Sequence, residues 1–236
     1  MARNPLTIPT NMALARPHLP AGVWRASEHA PAPMNTCPTH HRALDARLPG
    51  GGWPLASLIE ILADSPGCGE LALVTPALAA LSSHRPIVLL NPPEIPNALA
   101  WQQWNVASQR LWWLRPKSLS DAWWSAQTVL RGKAFAALLA WVDPVDDKAL
   151  RRLHACVQEA NTLMFLFRPK TVARQFSPSP LRLLLTPMAA GCLKIEILKC
   201  KGPRPAEPIT LSLAPAAQSL SGDIHVGGHR TTALAC

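Results

Sequence analysis

Between residues 57 and 167, short continuous apolar runs alternate with longer stretches of helical character. Ser57–Leu62, Ile87–Leu90, Leu111–Leu114, Phe135–Val142 and Leu163–Phe167 read as strands. A run without polar alternation suits burial on both faces, the situation of a central parallel strand. The intervening segments Glu70–Ser83, Asn97–Ala107, Ser120–Arg131 and Asp146–Asn161 read as helices. In the last of these, Leu150, Leu153, Val157 and Ala160 fall on one stripe, with Arg151, Arg152 and Glu159 off it. Ser120 is expected as the N-cap of its helix and Gly132 as its end. Pro76 is expected to bend or delay the start of the first helix. Parallel strands need crossover connections, so this order argues for an α/β domain with a parallel sheet flanked by helices.

The end of the pattern differs. Leu181–Leu185, Leu193–Leu198 and Ile209–Leu213 read as strands with no long helices between them, an antiparallel extension of the sheet edge. The division expected is a disordered, Pro-rich segment over 1–40, a domain over 41–213 and a flexible tail over 214–236. Low apolar content makes 1–36 and 220–236 dispensable for folding on this reading. No run of about 18 apolar residues exists to span a membrane, and prolines interrupt the first positions, so a cytoplasmic location is expected.

The formal net charge of +9 favours anionic partners or is plain solubility charge. Six scattered cysteines without a CxxC pair fit reduced thiols. Cys37–His41 and His225–His229 each offer two metal ligands but no second pair, so no metal site is expected.

A phosphate-binding loop needs backbone N–H groups to cradle the phosphates, a Lys to neutralise them and a hydroxyl for Mg²⁺. The turn after the first strand is Asp64-Ser65-Pro66-Gly67-Cys68-Gly69-Glu70-Leu71. Aligned on Gly69, Glu70 stands at the Lys position and Leu71 at the hydroxyl position; the first lysine of the chain is Lys117. At contact distance and an effective dielectric near 20, each unit-charge pair contributes roughly 4 kcal/mol before screening, so the exchange turns attraction into repulsion. The expectation is a tight strand-to-helix turn, with Glu70 favoured near a helix N-terminus, and no ATP-type cofactor. Asp143 closes an apolar run in the layout of a Mg²⁺-binding strand. With Lys and hydroxyl missing, it is expected instead to help start the next helix. No catalytic residue is assigned.

Leu44-Asp45, the Gly50-Gly51-Gly52-Trp53-Pro54 turn and the strand carrying Glu60-Ile61 resemble the start of the RecA core, and the order of elements over about 43–213 resembles it too. Together with Pro66-Gly67-Cys68-Gly69-Glu70-Leu71 and Phe165-Leu166-Phe167-Arg168-Pro169, these residues are similar to the ImuA family of RecA-like accessory proteins. The stretch 86–169 is also similar to the SulA family of division inhibitors, which lacks the Gly-rich lead-in and the final strands. The first resemblance implies a RecA-like fold with a degenerate phosphate loop (Gly67, Gly69, Glu70). It also implies a non-enzymatic role in SOS-induced translesion DNA synthesis, with RecA or an error-prone polymerase complex as partner and single-stranded DNA as a further candidate. The second implies binding to the division protein FtsZ.

Arg168, Lys170 and Arg174 come after the fifth strand, where RecA has a loop that contacts single-stranded DNA. Three readings stay open for them: contact with phosphates, contact with an acidic partner, or a solvated loop. Lys194, Lys199, Lys201 and Arg204 form a second basic set; on a strand Lys199 and Lys201 share one face, and Lys194 lies on the other. Of nine Trp residues, adjacent pairs such as Trp112/Trp113 cannot both point inward. Some are therefore expected at the surface, for protein contact or for stacking on nucleic acid, and others in helix–sheet packing.

Overall fold

A computed structural model describes residues 34–213. The described chain contains β1 (Thr36–Cys37), α1 (Arg42–Asp45), β2 (Trp53–Pro54), β3 (Ser57–Ala63), α2 (Glu70–Ser82), β4 (Ile87–Leu90), α3 (Ala98–Gln103), β5 (Leu111–Leu114), α4 (Leu119–Arg131), β6 (Ala137–Trp141), α5 (Asp147–Ala160), β7 (Leu163–Pro169), β8 (Leu181–Pro187), β9 (Cys192–Lys199) and β10 (Ile209–Ser212). Eight strands form one sheet in the order β10-β9-β8-β3-β7-β6-β4-β5. Every pairing from β8 to β5 is parallel, while β9 and β10 add antiparallel strands to the other edge. This is the mixed α/β sheet, mostly parallel, that the apolar runs imply.

The strands are apolar throughout because both faces are covered. Ile59, Ile61, Leu89, Leu139 and Phe165 pack with α1, α2 and α3 on one face. Their neighbours Leu58, Val88, Leu90, Leu138 and Leu166 pack with α4 and α5 on the other. Successive side chains alternate between faces, so each of these strands feeds two cores. Fully burying one Leu or Ile side chain stabilises the fold by about 1.5–3 kcal/mol. Trp53 of β2 is fully buried and meets Phe165 edge-on at 5.1 Å, fixing the Gly-rich lead-in against the centre of the sheet.

Several boundaries differ from the sequence reading. Residues 34–40 belong to the packed domain: β1 pairs with β2, Thr39 is fully buried, and its N–H donates to Asp45 Oδ1 at 2.9 Å. Ser118, not Ser120, caps α4, accepting from the Asp121 N–H at 3.0 Å. The segment Asn97–Ala107 is helical only to Gln103, capped by the Asn97 side chain. Asn105 takes φ 58°, a left-handed value that ends the helix and turns Val106 into the core. Pro76 lies inside α2 in its second turn, without ending the helix. Asp143 does not start α5; Asp146 does, accepting from the Ala149 N–H at 2.6 Å. Segments 1–33 and 214–236, with the tail assignments and His225–His229, lie outside the described residues.

No described helix is long and apolar enough to cross a membrane. Among the described residues, no group of three or more His, Cys, Asp or Glu side chains is placed to hold a metal ion.

Candidate functional site

The connection leaving β3 runs towards β4, and the one leaving β7 runs back past β3 to β8, in opposite directions along the sheet. In open α/β sheets the crevice at the carboxyl ends of such neighbouring strands is where ligands bind. A cavity of about 290 Å³ lies there, lined by the ends of β3, β6 and β7 and by the β3–α2 turn. A second cavity of about 240 Å³ adjoins it, walled by Pro92–Asn97 and by Trp101 and Trp104. Both cavities are lined by Pro66, Glu70, Pro93 and Trp141.

The turn is built on two left-handed glycines. Gly67 takes φ 83° and Gly69 φ 108°, values that L side chains rarely adopt. A Cβ on Gly69 would also come within 2.8 Å of Leu213. Glu70 is buried, and its Oε1 accepts the Gly67 N–H at 2.7 Å. The carboxylate thus folds back onto an N–H of its own turn. The dipole of α2 favours it there. Its second oxygen, Oε2, is sealed from solvent, and Glu70 makes no ion pair among the described residues. Beside it, burial, then the Glu70 charge and a hydrogen bond with the Glu70 side chain, push the Cys68 thiol up to about 12.

Below the cavity is a buried ionic cluster. Arg182 Nε donates to Glu60 Oε2 at 3.1 Å, and the Arg168 guanidinium lies 3.6 Å from the same oxygen. Arg168 Nε donates to Asp143 Oδ1 at 3.2 Å. Ser177 Oγ donates to Glu60 Oε1. Two carboxylates face two guanidiniums, so the cluster is neutral. Arg182 also donates to the carbonyls of Val172, Ala173 and Gln175, which wraps the β7–β8 connection around it.

This arrangement divides the basic residues read from the sequence. Arg168 is not part of an exposed basic loop: it is buried on β7 and its charge is matched by Glu60 and Asp143. Lys170 is half exposed and pairs with Asp64 at the mouth of the turn, 2.6 Å away. Arg174 is exposed. Lys199 is exposed and donates to the Ser177 carbonyl at 2.7 Å, while Lys201 lies beyond the end of β9. Lys199 and Lys201 both approach α5, where with burial, the larger cause, they lower the His154 pKa. Arg168 lines the cavity with its charge matched, and the other basic residues are spread along the β7–β8 connection and the β9 end. The Trp residues divide as well: Trp53 and Trp101 are core, whereas Trp104, Trp112, Trp113 and Trp124 are exposed.

The sequence reading missed Glu60, Arg182 and Ser177 as one unit. The signal was present: Glu60, Arg168 and Arg182 each interrupt or end an apolar strand, and charges in such positions are buried and need opposite partners.

No protein-family model matches the chain, and a search of curated proteins finds no match for it.

Proposed function

We propose that this chain is a RecA-like accessory protein of SOS-induced translesion DNA synthesis, acting without catalysis by binding RecA or the error-prone polymerase complex. The observation that carries the reading is the β3–α2 turn. It carries two left-handed glycines and closes on the Gly67 N–H with its own Glu70 carboxylate, which fits a phosphate loop turned away from nucleotide. Such a turn suits a protein that retains the architecture for its surfaces rather than for nucleotide chemistry. The placement of Trp53 in the core and of β8–β10 in the same sheet supports the longer, RecA-like resemblance over the SulA one, whose shared stretch contains neither. Exposed Trp side chains at the β5 edge supply surface of the kind enriched in protein interfaces. Direct contact with single-stranded DNA is a secondary part of the proposal. Among the candidate residues only Arg174, Lys199, Lys201 and the paired Lys170 are exposed enough to make it.

Deleting the gene in its host should lower damage-induced mutagenesis, and overexpressing it should not produce filamentous cells. Filamentation relieved by an FtsZ variant, together with normal induced mutation in the deletion strain, would replace this reading with the division-inhibitor one.

A further inference from the structure

Away from the cavities, three parts of the chain that are remote in sequence bring cations round one exposed ring. Phe176, in the β7–β8 connection, is 58 % exposed. The Arg151 guanidinium of α5 lies over that ring, 5.4 Å from its centroid. Next along the chain, the Ser177 carbonyl accepts from Lys199 Nζ at 2.7 Å, which brings the end of β9 to the same connection. Lys201 follows two residues later, and both lysines act on His154 of α5 through their charge.

The cations of this face are not matched from within. Asp147 and Glu159 lie on the same helix, yet Arg151, Lys199 and Lys201 make no ion pair among the described residues. The face thus differs from the buried cluster around Glu60, whose two guanidiniums face two carboxylates. An ammonium has three donors; Lys199 uses one on the Ser177 carbonyl, which fixes its position and leaves two for a ligand. The complement is a polyanion that also carries flat apolar groups. A purely acidic peptide answers the charges but not the ring. A duplex answers the charges and keeps its bases stacked inside. A single strand answers both, with phosphates for the cations and an unstacked base for the ring.

We propose that the face formed by α5, the β7–β8 connection and the end of β9 binds a single strand of nucleic acid, with phosphates on Arg151, Lys199 and Lys201 and a base stacked on Phe176. The inference deepens, and rests on, the DNA-contact part of the proposed function. Its test is binding in vitro, whereas the damage-response role is tested by gene deletion, so the failure of one is distinguishable from the failure of the other.

The test uses the full-length protein at low salt and fluorescence anisotropy of a labelled oligothymidylate of about twelve nucleotides. Three competitors accompany it: an abasic strand with the same number of phosphates, a duplex of the same length and a polyglutamate peptide. The thymidine strand should bind saturably, and about fivefold or more tightly than the abasic strand, the duplex or polyglutamate. Phe176→Leu should weaken the thymidine strand by about that factor and leave the abasic strand unchanged. Lys199→Gln combined with Lys201→Gln should weaken both strands and make the slope of log affinity against log salt shallower by about 1.4. No saturable binding of the thymidine strand overturns the proposal. So does equal binding of the abasic strand, the duplex or polyglutamate, the last of which would make this a surface for an acidic protein. Binding that none of these substitutions changes would place the strand elsewhere and overturn it too.

Discussion

Glu60 and Glu70 lie on the same strand–turn–helix unit and are both buried, yet their surroundings differ in kind. Glu60 has two guanidiniums and a hydroxyl around it. Glu70 has the Gly67 N–H and the Cys68 thiol beside it, and no cation among the described residues. The first is an ionic unit whose partners come from β7, β8 and the loop between them, with Arg168 Nη1 left short of a hydrogen bond among the described residues, so it ties distant parts of the chain together. The second is held within its own turn. A carboxylate gripped by two guanidiniums from other strands ties elements together; one that bonds its own turn shapes that turn.

The contrast can be broken by substitution, beginning with the largest effect. Glu60→Gln leaves Arg168 and Arg182 buried with one carboxylate between them, and breaking a buried pair by removing one partner costs about 3–5 kcal/mol. Urea denaturation should show that loss; a cost below about 1 kcal/mol would mean that the cluster is not what joins β3, β7 and β8. Glu70→Gln should destabilise much less, by about 1 kcal/mol, because the amide oxygen can still accept the Gly67 N–H. Its clearer signature is at Cys68. The thiolate is the reactive form, and the Glu70 charge raises the thiol pKa. Removing that charge lowers the pKa, so alkylation of Cys68 near pH 8 should speed up. The gain should be a few-fold only, since burial is the larger cause and persists. No change in rate would place the Glu70 charge elsewhere. Smallest of all is Lys170→Ala: its pair with Asp64 is half exposed on both sides, and the cost should not exceed about 0.5 kcal/mol.

The strands were legible because continuous apolar runs have few alternatives to burial on both faces. Ile87–Leu90 and Leu111–Leu114 match their expected limits, and the antiparallel end was visible in strands without intervening helices. Helix ends were harder. Ser118 and Ser120 offer the same hydroxyl, and only the backbone geometry decides that Ser118 faces the Asp121 N–H. Asn105 looks like any polar helix residue until its left-handed φ turns the chain. In the site, the glycine turn and the misplaced Glu70 could be read directly, because both are local. The Glu60 cluster could not be assembled, since Ser177 and Arg182 come from a part of the chain remote from β3 and meet it only through the β3–β8 pairing. Arg168 was assigned to the surface for the same reason: a loop reading weighs only its neighbours along the chain, whereas its environment is set by Glu60 on the adjacent strand.

On the proposed reading, the carboxylate of this turn stands where a nucleotide's phosphate would, held by the Gly67 N–H. Equilibrium titration of the full-length protein with a fluorescent ATP analogue and Mg²⁺ probes that substitution without intermediaries. No saturable binding is expected across the micromolar range. Low-micromolar affinity that is lost in Asp143→Asn would contradict it.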